Sequence, residues 1–395
     1  MNICITNHDM QPQFIGGIKR VISILTNEWC RDCSITIISF APQDTRYEIF
    51  GNVAQYIFPN PNNILSRKNH EFFSNVIEKE HIDIILHPYT LTSEINQLCY
   101  NIKELTGVKL ISALHFAITY NSDILKSYFF NKYRIGKKPI AWIREAMLYI
   151  KYQLVTKRKV KKQYANTYNY IINNSDKVVV LSSSHIDALK QVCKNENIDN
   201  VLYINNPAII ANSPTLVNKQ KKILWCGRLE YSTKRTDRIM DIWKDIAPKY
   251  PEWELIIMGS GNVESFKQLA DKMHISNIKF TGSCVPTEYY KKGDILCMTS
   301  STEGWGMVLI EGMQYGCVPI AYNSFSSLTD IIENNKNGFT VTPFNKQEYI
   351  EKLETLMNDT ELRERFAQNG CESIKRFDHK LIAKQWINLF KEVLS

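Results

Sequence analysis

Apolar residues in this chain fall into short unbroken runs, and the stretches between the runs carry apolar positions at helical spacing. In the first half the runs are Asn2–Thr6, Ser34–Phe40, Ile82–Leu86, Val108–Leu114, Lys177–Leu181 and Val201–Ile204. Each is four to seven residues of mostly β-branched or aliphatic side chains, the pattern of strands buried on both faces. After the first run comes Gly16-Gly17, then Ile18, Val21, Ile22 and Leu25 on one helical face. After Lys222 the alternation restarts, with strands at Ile223–Gly227, Glu254–Gly259, Ile278–Gly282, Asp294–Met298, Cys317–Tyr322 and Phe339–Val341. Helices are predicted at 236–248, 263–273 and near 286–292, and the last 50 residues read as helical throughout. Strands separated by helical spacers imply parallel sheets, whose ligands sit at the carboxyl ends of the strands.

The fold class expected is α/β, with two Rossmann-like, doubly wound domains facing a cleft. A length of 395 residues suits two domains. The stretch after Ile204, NNPAIIANSPTLVNKQKK, is rich in Asn, Ser and Pro and reads as the linker. The expected division is therefore 1–205 and 206–377, with a last helix at about 378–395 packing back on the first domain.

Composition narrows the class. Apolar residues make up 44% and charged residues 22%, as in a globular protein. Neither a membrane-spanning apolar stretch nor a secretory leader is read, and scattered cysteines inside apolar runs suggest a reducing, cytoplasmic setting. Cys30 and Cys33 form a CxxC without the second pair that a zinc site needs. The net charge of +8 is local in origin. Residues 126–162 hold twelve Lys or Arg against one acid, Glu145, together with seven Tyr, Phe or Trp. Within them Ile140, Ile143, Met147, Ile150 and Leu154 are spaced as on a helix, and KRKVKK follows at 157–162. This pattern fits an interfacial helix on an anionic membrane, and equally a helix that packs on a sheet. No nucleic-acid module accompanies the basic patch.

Candidate chemistry gathers in the second half. Gly227-Arg228 follows directly on a buried strand, with Lys234 on the same loop. Arg can bind a diphosphate through two parallel hydrogen bonds, and Lys serves as a point charge. Gly259-Ser260-Gly261 would let the backbone approach a ligand closely at the next strand end. The stretch Thr299–Gly316 runs from a strand through a loop with Gly304, Trp305 and Gly306 into a helix from about Met307. Glu303 and Glu311 bracket the start of that helix, whose first N–H groups suit an anion. In the first half, His115 and His87 each end a strand, where structural and functional roles are both open.

In order and spacing these features resemble a family 4, retaining glycosyltransferase of GT-B architecture. The resemblance is carried by GRL at 227–229 with Lys234, GSG at 259–261, FTG at 280–282 and STEGWGMVLIEG at 301–312, and more weakly by Gly16-Gly17, His115 and VVLS at 179–182. It implies a nucleotide-sugar co-substrate, a UDP-sugar first, and no metal, in keeping with the lack of a DxD motif at a strand end. Arg228 and Lys234 would hold the diphosphate and Glu311 the ribose. Glu303 and His115 would contact the transferred sugar, and the backbone of Gly304–Met307 would orient sugar and phosphate. Two features depart from the family: Trp305 where Phe is frequent, and Ile18-Lys19-Arg20 where an acid–arginine pair is common. The activity expected is hexosyl or N-acetylhexosaminyl transfer to a glycan or lipid-linked acceptor in bacterial-type surface polysaccharide synthesis. It would take place in the cytoplasm or on the inner membrane face. A glycoside hydrolase also uses two carboxylates but would not need Arg228 and Lys234. An inactive nucleotide-binding scaffold on the same fold is the other alternative.

Overall fold

The computed structural model describes residues 1–7, 17–40, 53–88, 93–118, 157–194, 198–210 and 219–395, together with 143, 147 and 150. The chain divides into two compact units. One comprises Met1–Thr119, Val160–Ile209 and Phe377–Ser395; the other comprises Tyr120–Lys159 and Ile210–Arg376. The C-terminal helix, His379–Leu394, belongs to the first unit.

The first unit is built on seven strands: β1 (Asn2–Asn7), β2 (Ser34–Ser39), β3 (Val53–Ile57), β4 (Ile84–His87), β5 (Lys109–Ala113), β6 (Lys177–Val180) and β7 (Val201–Tyr203). Their order is β3-β2-β1-β4-β5-β6-β7, and every neighbouring pair is parallel. Central strands are sealed on both faces, with Ile3, Cys4, Ile5, Ile84 and Ile85 fully buried. β3 was not expected. Its residues, VAQYI, are half-exposed at the sheet edge, so they lack the unbroken apolar run that marks the inner strands. Helix Gly17–Trp29 opens the unit and lays Trp29 against Trp386 and Phe390 of the C-terminal helix.

The second unit carries six strands: β8 (Lys222–Cys226), β9 (Glu254–Met258), β10 (Ile278–Gly282), β11 (Ile295–Met298), β12 (Val318–Tyr322) and β13 (Phe339–Val341). The order is β10-β9-β8-β11-β12-β13, again parallel throughout. One core cluster joins Ile223, Trp225, Leu255 and Ile257 of the sheet to Trp243, Phe266, Tyr349 and Leu353 of the helices. The last 50 residues are helical almost throughout, as expected, in successive segments. Helices Lys346–Asn358, Thr360–Ser373 and His379–Leu394 are separate, and Asp359 caps the second by accepting from Leu362 N–H at 2.8 Å.

Of the expected linker, 211–218 lie outside the described residues. Ala208 is paired: its N–H donates to Phe377 O at 2.8 Å, and His379 N–H donates to Ala208 O at 3.0 Å. The outgoing and returning passes of the chain thus run side by side within the first unit. Of the expected amphipathic helix at 139–155, only Ile143, Met147 and Ile150 are among the described residues. They are helical and 63%, 61% and 56% exposed.

Candidate functional site

In the second unit the strand order turns back between β8 and β11, which are neighbours in the sheet but far apart in sequence. Loops leave adjacent parallel strands in opposite directions at such a point, and a ligand crevice opens at their carboxyl ends. The loop after β8 carries Gly227 to Lys234, and the loop after β11 carries Thr299 to Gly306. The two are fastened together. Ser301 N–H donates to Thr233 O at 2.7 Å, Trp225 Nε1–H to Thr299 Oγ1 at 3.1 Å, and Thr299 Oγ1–H to Arg235 O at 3.1 Å. Arg235 takes a left-handed φ of 54° and grips buried Asp237 through two bonds of 2.9 and 2.7 Å. From helix Thr236–Ile246, Arg238 donates to Thr299 O at 3.3 Å and to Ser301 Oγ at 3.2 Å, while its guanidinium lies 3.7 Å from the centre of the Phe344 ring.

This fastening brings Lys234 to Glu303, with Nζ to Oε1 at 2.5 Å. The same carboxylate oxygen accepts from Ser300 Oγ at 2.6 Å. Arg228, on the same loop as Lys234, is 73% exposed and lies 3.9 Å from Glu230. Glu311 lies in helix Met307–Met313 and is 92% buried. Its charge is felt at the end of β8. Burial, reinforced by Glu311, pushes the Cys226 thiol up to about 11. The Tyr290 phenol is raised further, by burial first and then by Cys226 and Glu311. A guanidinium, an ammonium and two largely buried carboxylates therefore belong to two adjacent strand ends. That set can bind an anion together with polyhydroxy groups.

The glycines have reasons of their own. At Gly259, φ is 140° and a Cβ would stand 1.9 Å from Gly227 O; at Gly261, φ is 129° and a Cβ would stand 2.6 Å from Leu229 O. Gly227 N–H donates to Met258 O and Leu229 N–H to Ser260 O. Close approach of the β8 loop, apart from any ligand, already requires glycine at both positions. Gly306 has φ 90° at the start of helix Met307–Met313, which spans seven residues and so is shorter than the run to Gly316 that was expected. Gly312 packs against Leu296, and the chain turns at Gly316, whose N–H bonds Met313 O and whose φ is 74°. A helix of two turns offers little dipole, so the anion argument rests on Arg228 and Lys234. Trp305 is 3% exposed and Met307 is half-buried. The indole of Trp305 is thus part of the packing, and its contribution toward a ligand would come through backbone. Gly304 O accepts from Ser327 Oγ at 2.8 Å.

His115 stands in the first unit, two residues beyond β5. It is buried, and its Nδ1–H donates to Asn206 Oδ1 at 3.1 Å. Burial lowers its pKa to about 4 against the opposing effect of Asn206, so the ring is neutral near pH 7. With Nδ1 protonated, Nε2 is the acceptor, and it has no hydrogen-bond partner among the described residues. His87 is buried as well, with Nδ1 2.5 Å from Thr6 Oγ1 across β1 and β4. Gly17 begins the first helix; Gly16 lies outside the described residues. Burial raises the thiols of Cys30 and Cys33, which works against thiolate ligation of a metal. Among the described residues no group of three or more His, Cys, Asp or Glu is placed to hold a metal ion. Ser300, Arg238, Ser324 and Ser327 were not singled out in the sequence. Only Ser300, three residues before Glu303, carried a local signal.

Residues 208–373 match the family described as "Glycosyl transferases group 1". An uncharacterized glycosyltransferase of Haemophilus influenzae is 29% identical over 219 residues, 54% of this chain and 61% of that protein. The poly(ribitol-phosphate) alpha-N-acetylglucosaminyltransferase of Staphylococcus aureus is 26% identical over 58% of this chain and 47% of its own length. The chain thus spans about half to three fifths of these curated relatives. Among solved structures, HepE of Anabaena in complex with UDP and glucose aligns over 99% of this chain and 100% of its own, with a TM-score of 0.71 at 16% identity. A mutant of TarM of S. aureus, in complex with fondaparinux, alpha-GlcNAc-glycerol and UDP, aligns over 98% of this chain and 99% of its own with a TM-score of 0.71 at 15% identity. The family match thus covers residues 208–373, on a chain whose two parallel-sheet units have the GT-B fold.

Proposed function

We propose that this protein is a retaining glycosyltransferase that moves a sugar from a nucleotide-sugar donor, a UDP-sugar first, to a glycan or lipid-linked acceptor in surface polysaccharide synthesis. The observation that carries the reading is the Lys234–Glu303 contact of 2.5 Å at the point where β8 and β11 part, with Arg228 exposed on the loop that carries Lys234. A leaving diphosphate gains negative charge as the sugar departs. Arg228 and Lys234 are the cations that would stabilise it, and Glu303 would accept hydrogen bonds from the sugar hydroxyls. Glu311 would take the ribose. His115, neutral and with Nε2 as an acceptor, suits a sugar hydroxyl better than a proton transfer to phosphate. The crystallised fold neighbours in complex with UDP, and the relatives named for glycan synthesis, support the donor and acceptor classes.

The hydrolase alternative is weakened by the same contact. One oxygen of Glu303 is committed to Lys234 and Ser300, which suits a fixed charge better than a proton-carrying acid. The test is sugar transfer from a panel of UDP-, GDP- and ADP-sugars. Arg228→Ala and Glu311→Ala should each lower turnover by a factor of about 100 or more, the scale seen when one stabilising group is removed from an active site. Their melting temperatures should stay near wild type. Near-wild-type turnover in either would sink the reading.

Peripheral contact with an anionic membrane through 126–162 is part of the proposal. Ile143, Met147 and Ile150 share one helical stripe and are all exposed, and Arg158, Lys159, Lys161 and Lys162 are exposed on helix Lys157–Asn174. Co-sedimentation with phosphatidylglycerol vesicles should fall when those four cations are neutralised. Unchanged sedimentation would remove the membrane from the proposal.

A further inference from the structure

We infer that Ser300 is a positioning residue for Glu303, and that it determines how well the site tells a nucleotide sugar from the bare nucleotide. This rests on the donor-site reading above. Ser300 is 3% exposed, and its Oγ–H donates to Glu303 Oε1 at 2.6 Å. The serine is itself held. Its carbonyl accepts from Ser324 Oγ at 2.8 Å, and the next residue, Ser301, bonds Thr233 O and Arg238. Three residues past Ser324, Ser327 Oγ donates to Gly304 O at 2.8 Å, immediately after Glu303. The loop that follows β12 therefore pins the Glu303 loop on both sides of the carboxylate.

The division of the carboxylate follows from these bonds. Lys234 and Ser300 both donate to Oε1, and Oε2 takes no hydrogen bond from the described residues. When a diphosphate draws Lys234 toward it, Ser300 is the donor that still holds Oε1. Its hydroxyl thus keeps Oε2 aimed while the ammonium changes partner. A carboxylate that swings freely would have to be ordered by each incoming sugar, which costs affinity for the sugar and not for the nucleotide. Held in place, it adds specificity that bare UDP cannot use.

Calorimetric titration with UDP, UDP-glucose and UDP-N-acetylglucosamine tests this. Wild type should bind at least one of the two sugars' nucleotides more tightly than UDP. Ser300→Ala should weaken that sugar nucleotide by roughly tenfold, the scale for one bond to a charged group, and leave UDP within about twofold. Ser300→Thr, which keeps the hydroxyl, should restore the difference. In a Glu303→Ala background, Ser300→Ala should have no further effect on the ratio, which a merely structural role would not predict. Should Ser300→Ala fail to fold, Ser324→Ala, which frees the Ser300 carbonyl, should shift the same ratio in the same direction. Wild type that binds none of the three overturns the donor-site reading and this proposal together. Wild type that discriminates, with Ser300→Ala discriminating equally or losing UDP and sugar nucleotide alike, overturns this proposal alone.

Discussion

At the residue scale, two glycines with left-handed backbones separate close approach from conformational need. Gly259 at φ 140° faces Gly227 O, which a Cβ would meet at 1.9 Å; Gly282 at φ 69° has nothing within 4 Å. Gly282→Ala should cost only the left-handed strain, about 1 kcal/mol. Gly259→Ala must add displacement of the β8 loop and its bond to Met258 O, and should cost roughly 3 kcal/mol or more. Urea unfolding of the two variants checks the order; an equal loss in both would show that loop contact is not what Gly259 serves. The G-S-G motif was legible in the sequence as a place of close approach. What approached was not, because the partner loop lies some thirty residues earlier and only the parallel pairing of β8 with β9 brings it near. Lys234 and Glu303 illustrate the same limit. Both were singled out, yet their contact spans 69 residues and depends on β8 and β11 being neighbours.

At the element scale, the buried strands were legible because a parallel strand covered on both faces has to be apolar at every position, as Val318–Tyr322 is. β3 escaped for the converse reason: an edge strand with four half-exposed residues has no such run. The entry to helix Thr236–Ile246 was also hidden, since its start depends on a long-range constraint. Arg235 is non-glycine at φ 54°, and no side chain caps the helix there. Its guanidinium is instead bound by Asp237, with side chains 11% and 0% exposed. That pair holds the turn whose carbonyl receives Thr299, so it stands behind Lys234 and the Thr299–Gly306 loop together. Asp237→Ala would leave a buried guanidinium without its carboxylate and should cost about 3–5 kcal/mol, with loss of donor binding beyond what the folded fraction explains. A variant as stable as wild type, by chemical denaturation, would show that the turn is held by other contacts.

At the scale of the whole molecule, the two units should answer acid differently. His115 and His185 both belong to the first unit, both are buried, and burial holds each pKa at about 4. In the unfolded chain a histidine titrates near 6.5. Above that value neither state takes the proton and the two residues contribute no pH dependence. As pH falls from 6.5 toward 4 the unfolded state binds protons that the folded unit refuses, so folding weakens by about 1.4 kcal/mol per pH unit for each histidine; below 4 the loss levels off. The second unit contains a group of opposite sign: burial raises the Asp294 carboxyl, so its protonation on acidification favours the folded form. Hydrogen exchange at pH 5 and pH 7.5, corrected for the intrinsic rates, should therefore show the peptides of β4, β5 and β6 losing protection well before those of β8, β9 and β11. Replacing His185 by leucine, which no longer titrates, should remove part of that difference. Equal loss in both sheets, or loss that begins in the second, would mean that the acid response does not come from these two imidazoles.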